Sequence, residues 1–493
     1  MSMRLHVPQR RLVAAALVPA LLAGCATVPQ LGPRPEMRTA ATVESTRSFA
    51  VESPAANWPS SDWWTGYADP QLDALIAEGL AGSPDLAGAA ARLRAAEAYA
   101  QQAGAARLPT LDVEASGGLN KQSYNNGIPP AFVPKGWNDN GRVAANLNFD
   151  LDLWGKNRAS LAAATSDAEA ARIEIEQSRL VLSTNIASAY ADLARLAAQR
   201  EIQMKALDVR LQTQRLVANR VASGLDTQAE LKQADAAVPT ARSDIAATDE
   251  TIGLTRNRIA ALLGKGPDRG LSIALPAKLV SIGALPAGVT TDLIGRRPDI
   301  AAARARAEAA GKRIDVAHAD FFPSINLSAM IGLQSLGLSN LIDSGSTIGS
   351  VGPAISLPIF RGGLPAGRYR EARARYDEAV ANYDATVVGA YRDVADAVTS
   401  RAALATRLGQ GREALAASEQ AYHVAQLRFQ GGLSTFLEVL TAEDRVLQAR
   451  TMVADLESRA FTLDVALVRA LGGGFTVSQD NAAAAARKDP THG

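Results

Sequence analysis

In the stretch AANLNFDLDLW, from Ala144 to Trp154, apolar and polar side chains alternate from Ala145 to Leu153. Such alternation predicts a β-strand with one apolar and one polar face, because successive side chains of a strand point to opposite sides. The polar positions are Asn146, Asn148, Asp150 and Asp152. The carboxylates of Asp150 and Asp152, at successive polar positions, could hold a metal ion, act as an acid and a base, or face water. The stretch therefore belongs either to an enzyme site or to a sheet that separates an apolar from an aqueous environment.

Three further stretches alternate in the same way. The predicted strands are residues 110–119, 141–154, 324–334 and 350–360. Their lengths are close to the 9–11 residues with which a tilted strand crosses a membrane. Four strands cannot close a membrane barrel, because the smallest have about eight and lipid does not tolerate an open edge. Several chains must therefore share one barrel, and the strand count leaves two or three chains open.

Long helical patterns follow each pair of predicted strands. We predict long helices at 156–221 and 365–428, return helices at 226–263 and 434–471, and a helix at 298–319 before the third strand. In the first long helix, apolar residues step alternately by four and three, as in a seam between packed helices: Leu182, Ile186, Ala189, Leu193 and Leu196. The second repeats this with Val387, Tyr391, Val394 and Val398. These stripes are too narrow for a globular core, so the helices must pack against one another.

The chain carries the same order of motifs twice. SPDLAGAAARLRAA from Ser83 returns as RPDIAAARARAEAA from Arg297, and RVASGLDTQAEL from Arg220 returns as RFQGGLSTFLEV from Arg428. Matches in the same order predict two internal repeats. Their bounds are residues 61–270 and 271–475. A flexible C-terminal tail, residues 476–493, has no aromatic residue and is predicted to be disordered.

The N-terminus has the features of an export signal. A basic segment precedes the apolar run Leu12–Ala23, which is too short to cross a bilayer as a helix. The run leads into LAGC, whose Cys25 is the single cysteine of the chain. The pattern resembles a bacterial lipobox and predicts a signal peptide at 1–24, a covalent lipid on Cys25 and an extended tether at 25–60. An ordinary signal peptide with an incidental cysteine is the alternative.

Charge and residue types argue against nucleic-acid binding and catalysis. The formal net charge of +1 provides no basic face for nucleic acid. Between Cys25 and the tail the chain has just two histidines, His318 and His423, and no HExxH motif, which disfavours a metal or hydrolytic site at Asp150 and Asp152. We predict no enzyme, no metal and no cofactor other than the lipid.

Several motifs together resemble the TolC family of outer membrane factors, in its lipoprotein branch. They are the lipobox, SSDWWTGYADPQLDALIAEGLAGSPDL from Ser60, the GLDT and GLST turns, and the ALGGG ending, after which Phe475 stands where the family often has Trp. The resemblance implies a mainly α fold with a membrane β-barrel. Three copies, a homotrimer, would form a twelve-stranded barrel continued by a periplasmic α-helical barrel. Ala26, in place of an Asp after Cys25, agrees with the outer membrane.

The resemblance also implies a function and partners. The chain would be the outer membrane channel of a tripartite RND-type efflux system, passing small molecules such as antibiotics from an inner-membrane RND-type transporter through a periplasmic adaptor. A non-conducting periplasmic lipoprotein scaffold and the channel of a type I protein secretion system are the alternatives. In a water-filled barrel the polar strand face lines the lumen. Asn146, Asn148, Asp150 and Asp152 are therefore expected to line the pore.

The two turns between long and return helices are the candidate contacts with the adaptor. They comprise Gly224, Leu225, Asp226 and Thr227 in the first half, and Gly432, Leu433, Ser434 and Thr435 in the second. Glycine permits the reversal of the chain, and the leucine beside it is expected to be exposed to the partner. The resemblance implies that this end also constricts the idle channel, with Asp226 and Glu438 as candidate gate residues. Alternatively, both are turns without a further role.

Overall fold

A computed structural model of the protein describes residues 28–49, 57–276, 286 and 289–476. The predicted signal peptide, Cys25 and the tail beyond Thr476 lie outside the described residues. Residues 28–49 belong to the predicted tether, and they are docked rather than free. The hydroxyl of Tyr376 donates to the carbonyl of Pro35 at 3.1 Å, and the ring of Phe49 stacks on Tyr391 at 5.9 Å.

The described part of the chain is mainly α-helical. Its α-helices are α1 (Pro70–Gly82), α2 (Pro84–Ala105), α3 (Lys156–Ala222), α4 (Gln228–Leu262), α5 (Asp268–Leu271), α6 (Val289–Arg296), α7 (Pro298–Ala319), α8 (Leu364–Gln430) and α9 (Phe436–Ala470). None of these helices carries an apolar stretch long enough to cross a membrane.

Corresponding helices of the two halves have equal lengths. Both α2 and α7 have 22 residues, both α3 and α8 have 67, and both α4 and α9 have 35. The return helices begin later than predicted, at Gln228 and Phe436 rather than at 226 and 434. The reason is that Thr227 and Thr435 have extended backbones and precede the first helical turn as N-cap residues.

Four antiparallel strands form one sheet. They are β1 (Thr110–Asn120), β2 (Asn138–Asp150), β3 (Ser324–Leu336) and β4 (Thr347–Ser356), in the order β1-β2-β3-β4. Within the described residues, the outer edges of β1 and β4 pair with no other strand. The sheet therefore ends in two open edges.

Two predicted strands extend too far. The prediction 141–154 fails after Asp150, because Asp152 has a φ of 45°, a left-handed backbone outside the range of a regular strand. The prediction 350–360 fails after Ser356, because Pro358 has no N–H to donate to a ladder. The alternation of apolar residues continues past the C-terminal ends of β2 and β4. Alternation alone therefore does not indicate where backbone pairing stops.

The two sequence halves do not correspond to the two compact units of the chain. One unit contains Arg92–Ala171 and Ala303–Asn382, hence all four strands. The other contains Arg38–Ala91, Arg172–Ala302 and the chain from Tyr383 onwards. Each unit draws on both halves, because β2 of the first half pairs with β3 of the second. The two internal repeats, 61–270 and 271–475, stay a prediction, and the compact units divide the chain differently.

The main core lies in the second unit, around the predicted helical seam. All five seam residues of α3 are buried, and Ile186, Ala189 and Leu193 have no exposed surface. They pack with Leu72 and Ile76 of α1 in one apolar cluster. The burial of the seam is confirmed. The expectation that its stripe is too narrow for a globular core is wrong, because these residues share one core with α1. In the matching seam of α8, Val387, Tyr391 and Val394 are buried, whereas Val398 is half-buried.

Candidate functional site

The register of the sheet gathers apolar side chains on one face. Leu111, Leu147, Ala329 and Val351 lie in one row across the four strands, because each is the direct partner of the next. The exposed fractions of Leu111 and Val351 are 66% and 79%. A slip of one residue would turn every one of these side chains to the other face. This chain alone therefore presents a broad uncovered apolar surface.

The opposite face of the sheet is polar. The rows on either side of the Leu111 row point to this face. One contains Asp112, Asn146, Met330 and Ser350, and the other contains Asn148 and Ser328. Asn146, Asn148 and Asp150 belong to this face, as the alternation predicts. Asp152 does not, because it lies beyond the end of β2.

The carboxylates of Asp150 and Asp152 also connect the end of β2 with the start of α3. The Asp152 carboxylate accepts hydrogen bonds from the backbone N–H groups of Asn157 and Arg158, at 2.8 and 3.0 Å. Asp150 accepts one from the backbone N–H of Asp152 at 2.9 Å. The N–H groups of Asn157 and Arg158 lie in the first turn of α3, where they have no partner within the helix and a negative charge is favourable. Asp152 therefore caps α3 from beyond the strand face on which its pore-lining prediction was based, and pore lining by this residue stays a prediction.

Metal binding finds no support among the described residues. They contain no group of three His, Cys, Asp or Glu side chains placed to hold a metal ion. Asp152 has its two carboxylate oxygens occupied by the helix terminus. The opening stretch is thus a polar strand face followed by a helix cap.

The two hairpin tips, residues 224–227 and 432–435, share one backbone conformation. Gly224 and Gly432 have φ angles of 75° and 70°, and the leucine after each donates its N–H to a carbonyl five residues earlier at 2.8 Å. This is a Schellman motif, in which an L side chain at the glycine position would be strained. The following leucine usually packs back on the helix in such motifs. Here Leu225 and Leu433 are 66% and 73% exposed, which leaves both available to a partner.

The first tip is held by a buried ion pair and a capping box. Arg220 Nε and Nη2 donate to the two oxygens of Asp226 at 2.8 and 3.0 Å, and the Asp226 side chain is 5% exposed. Asp226 raises the pKa of Arg220 above its ordinary value. Thr227 accepts from the backbone N–H of Glu230, whose carboxylate accepts from the backbone N–H of Thr227 at 2.7 Å. Together these bonds close the first turn of α4.

The second tip lacks both devices. Ser434 occupies the position of Asp226, and its buried Oγ has no hydrogen-bond partner in the described part of the chain. Among the described residues, Arg428, which corresponds to Arg220, donates only to the carbonyl of Leu433 at 3.4 Å. The Thr435 side chain makes no capping bond, although Glu438 follows it three residues later. The Glu438 prediction stays a prediction.

One apolar cluster joins the two hairpins near their tips. We call it the tip cluster: Val217, Ala234, Phe429, Phe436 and Val439, drawn from α3, α4, α8 and α9. The guanidinium of Arg220 also lies 4.7 Å above the Phe429 ring. The ion pair of the first tip therefore contacts the second hairpin.

A second contact between the hairpins was not predicted from the sequence. Arg210 Nε donates to Oε1 of Glu443 at 3.0 Å, and the two side chains are 13% and 6% exposed. Burial raises the pKa of Glu443, and Arg210 opposes this rise. Burial, with Glu443 nearby, also raises the pKa of Tyr422 to about 12. The sequence signal that could have indicated this contact is a carboxylate, Glu443, at a buried position of α9.

The sequence also relates this chain to known proteins. Residues 75–265 and 289–473 match the family described as outer membrane efflux protein. The fusaric acid resistance protein FusA of Burkholderia cepacia is 33% identical over 358 residues, which are 71% of this chain and 67% of FusA. The multidrug resistance outer membrane protein MdtP of Escherichia coli K12 is 31% identical over 440 residues, 85% of this chain and 88% of MdtP.

The fold agrees with these matches. The crystal structure of the outer membrane protein VceC from Vibrio cholerae superposes with a TM-score of 0.80 at 46% identity, covering 85% of this chain and all of VceC. The matched segments include the sheet, both pairs of long helices and both tips. The chain therefore belongs to the outer membrane efflux protein family, the TolC family of outer membrane factors that its motifs resemble.

Proposed function

We propose that this chain is the outer membrane channel of a tripartite RND-type efflux system, through which small molecules such as antibiotics leave the periplasm without chemical change. The observation that carries the proposal is the four-stranded sheet. It has one exposed apolar face, one polar face and two open edges. A strand wall between lipid and water requires this division of faces.

The open edges support a homotrimer. An unpaired edge in lipid leaves backbone groups without hydrogen bonds, at a cost of several kcal/mol for each group. Three copies would pair β1 of one chain with β4 of the next and close a barrel of twelve strands. The exposed apolar face would then meet lipid, and Asn146, Asn148 and Asp150 would face the lumen. The long helices would continue the conduit into the periplasm, and each chain would contribute two internal repeats to it.

The relatives support the kind of cargo. FusA is named for resistance to fusaric acid and MdtP for multidrug resistance. By analogy we propose small organic molecules as cargo, and a passive conduit rather than an enzyme. The lipobox supports a lipid on Cys25, which would add an anchor in the outer membrane.

The tips support docking of a periplasmic adaptor. Leu225 and Leu433 expose large apolar side chains beside a reversal of the chain. A helical hairpin of the adaptor could cover them and so link the channel to the inner-membrane transporter. An adaptor that bound only an open arrangement of the tips would shift the channel towards opening.

A matched pair of substitutions in β4 tests the channel. Val351→Arg places a charge on the apolar face, and Ser350→Arg places the same charge on the neighbouring polar face. An arginine facing lipid near the bilayer centre costs about 2–4 kcal/mol, whereas one facing the lumen is tolerated. We expect V351R to reduce the amount of assembled protein in outer membranes and S350R to leave it unchanged.

The measurement is the native mass of the lipidated protein extracted in mild detergent. A trimer for the unmodified chain and S350R, with loss of the trimer in V351R, is the expected result. A stable monomer with both variants unaffected would contradict the proposal and support a non-conducting periplasmic scaffold.

A further inference from the structure

A cavity of about 630 Å³ lies between four long helices, in their parts that belong to the second unit. Its lining comes from α3, α4, α8 and α9, and the α9 lining extends from Leu447 to Arg459. That segment spans roughly 18 Å of helix. The volume falls within the range of about 300–1,000 Å³ that is typical of small-molecule sites. The cavity is separate from the tips and from the sheet faces.

Small side chains leave this space open. Ala206 and Ala241 line it from α3 and α4, opposite Leu456 and Met452 of α9. On one side Leu404, Leu456 and Leu463 form an apolar cluster, and on the other lies the tip cluster. Larger residues therefore fill the helix interface on both sides, whereas two alanines do not fill it here. The middle of the cavity is an apolar surface suited to a hydrocarbon or aromatic body.

The charges of the cavity are unequally neutralised. Arg210 is bound to Glu443 and Asp444, and Asp455 lies 3.5 Å from Arg195. Arg407 and Arg459 also line the cavity, and neither has an ion-pair partner among the described residues. Of the two lining carboxylates, Asp244 also has no ion-pair partner among the described residues. Arg407 and Arg459 are thus two lining guanidiniums that no described carboxylate pairs, whereas Arg210 is already bound to two acids.

One polar atom of the wall is unsatisfied. The side-chain Oε1 of Gln203 is buried and has no hydrogen-bond partner in the described structure. A buried acceptor without a donor costs about 1–3 kcal/mol. A donor supplied by a ligand or a water molecule would remove that cost.

We infer that this cavity is a binding site for small amphipathic carboxylates. The carboxylate would pair with Arg407 and Arg459, and the apolar body would cover Ala206, Leu456 and Met452. A hydroxyl or N–H on the ligand could donate to Gln203. The inference does not rest on the channel proposal, because the site needs only the four helices of one chain.

The test measures binding of 1-naphthoate to the full lipidated chain in nanodiscs by titration calorimetry, with empty nanodiscs subtracted. The neutral probe is naphthalene-1-methanol, which has the same ring system and no charge. We expect R407Q/R459Q to weaken naphthoate binding by about tenfold or more, because hydrogen bonds to charged groups are the stronger ones. Binding of the neutral probe should not change.

Two further variants make the result specific. R215Q/R242Q removes two exposed arginines that lie outside the cavity and have no partner among the described residues, and it should leave naphthoate binding unchanged. Ala206→Leu fills part of the cavity and should weaken both probes. Equal naphthoate affinity in R407Q/R459Q and R215Q/R242Q would overturn the inference, as would absence of naphthoate binding to the unmodified chain. Neither result depends on whether the chain is a trimer or conducts.

Discussion

The two hairpin tips have the same backbone and different bonding. Both reverse at a glycine with a left-handed backbone, and both expose a leucine. The first is closed by the Arg220–Asp226 pair and a capping box, whereas the second has an unpartnered Ser434 hydroxyl at the matching position. The two similar sequences therefore share the shape of the turn but not its side-chain bonds. We expect the second tip to open more readily than the first.

Loss of the first ion pair should have the largest effect on this difference. Arg220→Ala leaves the buried Asp226 carboxylate without its cation and removes the contact with the Phe429 ring. We expect the opening free energy of the first tip to fall by about 2–3 kcal/mol. Arg428→Ala, the matched variant, should change the second tip by less than about 0.5 kcal/mol.

Amide hydrogen exchange over residues 217–231 and 425–439 measures both effects in the full chain. Equal losses of protection in the two variants would mean that the ion pair does not distinguish the tips.

The capping threonines should differ in the same direction. Thr227→Ala removes the bond to the Glu230 N–H and should cost about 1 kcal/mol. Thr435→Ala should cost only a few tenths of that amount, because the Thr435 side chain makes no capping bond. Exchange rates of the first turns of α4 and α9 report the two values. A larger effect at Thr435 would reverse the assignment.

A gain of stability should follow when the second tip receives the carboxylate of the first. Ser434→Asp places an acid six residues after Arg428, the same spacing that Asp226 has from Arg220. We expect exchange protection of the second tip to rise by about 0.5 kcal/mol, since part of the new pair is solvent-exposed. The gain should vanish in S434D/R428A. A gain that persists without Arg428 would show that charge pairing is not its cause.

The last prediction concerns pH, and its effect is confined to alkaline solution. Burial, and then Glu443, raise the pKa of Tyr422 to about 12 from an ordinary value near 10. The folded state thus favours the protonated phenol, so its contribution to stability is complete below pH 10 and is lost as the pH rises towards 12. The difference in tyrosinate absorbance between the unmodified chain and Tyr422→Phe measures this titration. A midpoint near 10 would mean that Tyr422 is in contact with solvent.

Periodicity in the sequence located most of the architecture. Alternation identified Leu111, Leu147 and Val351 as one apolar face, because the side chains of a strand have a period of two whatever their partners. It failed at Asp152, where the polar position belongs to a helix cap and the backbone has already left the strand. A pattern of polarity does not contain that backbone angle.

Contacts between distant segments could not be predicted in this way. The tips followed from the repeated glycine and leucine, whereas the Arg220–Asp226 bond is local and depends on the backbone conformation of the turn. The pairing of Arg210 with Glu443 depends on how helices lie side by side. The same is true of the cavity. Ala206 and Ala241 are ordinary helix residues in the sequence, and only their position opposite Leu456 and Met452 creates a space.

The equal lengths of the paired helices limit how the gene can change. The long helices have 67 residues each and the return helices 35 each, and their ends meet in the tip cluster. A deletion of seven residues from α3 and from α4 would draw back the first tip alone, by about 10 Å. Val217 and Ala234 would then lose Phe429 and Phe436. Insertions and deletions in this part of the chain should therefore persist through evolution only when both halves acquire them together.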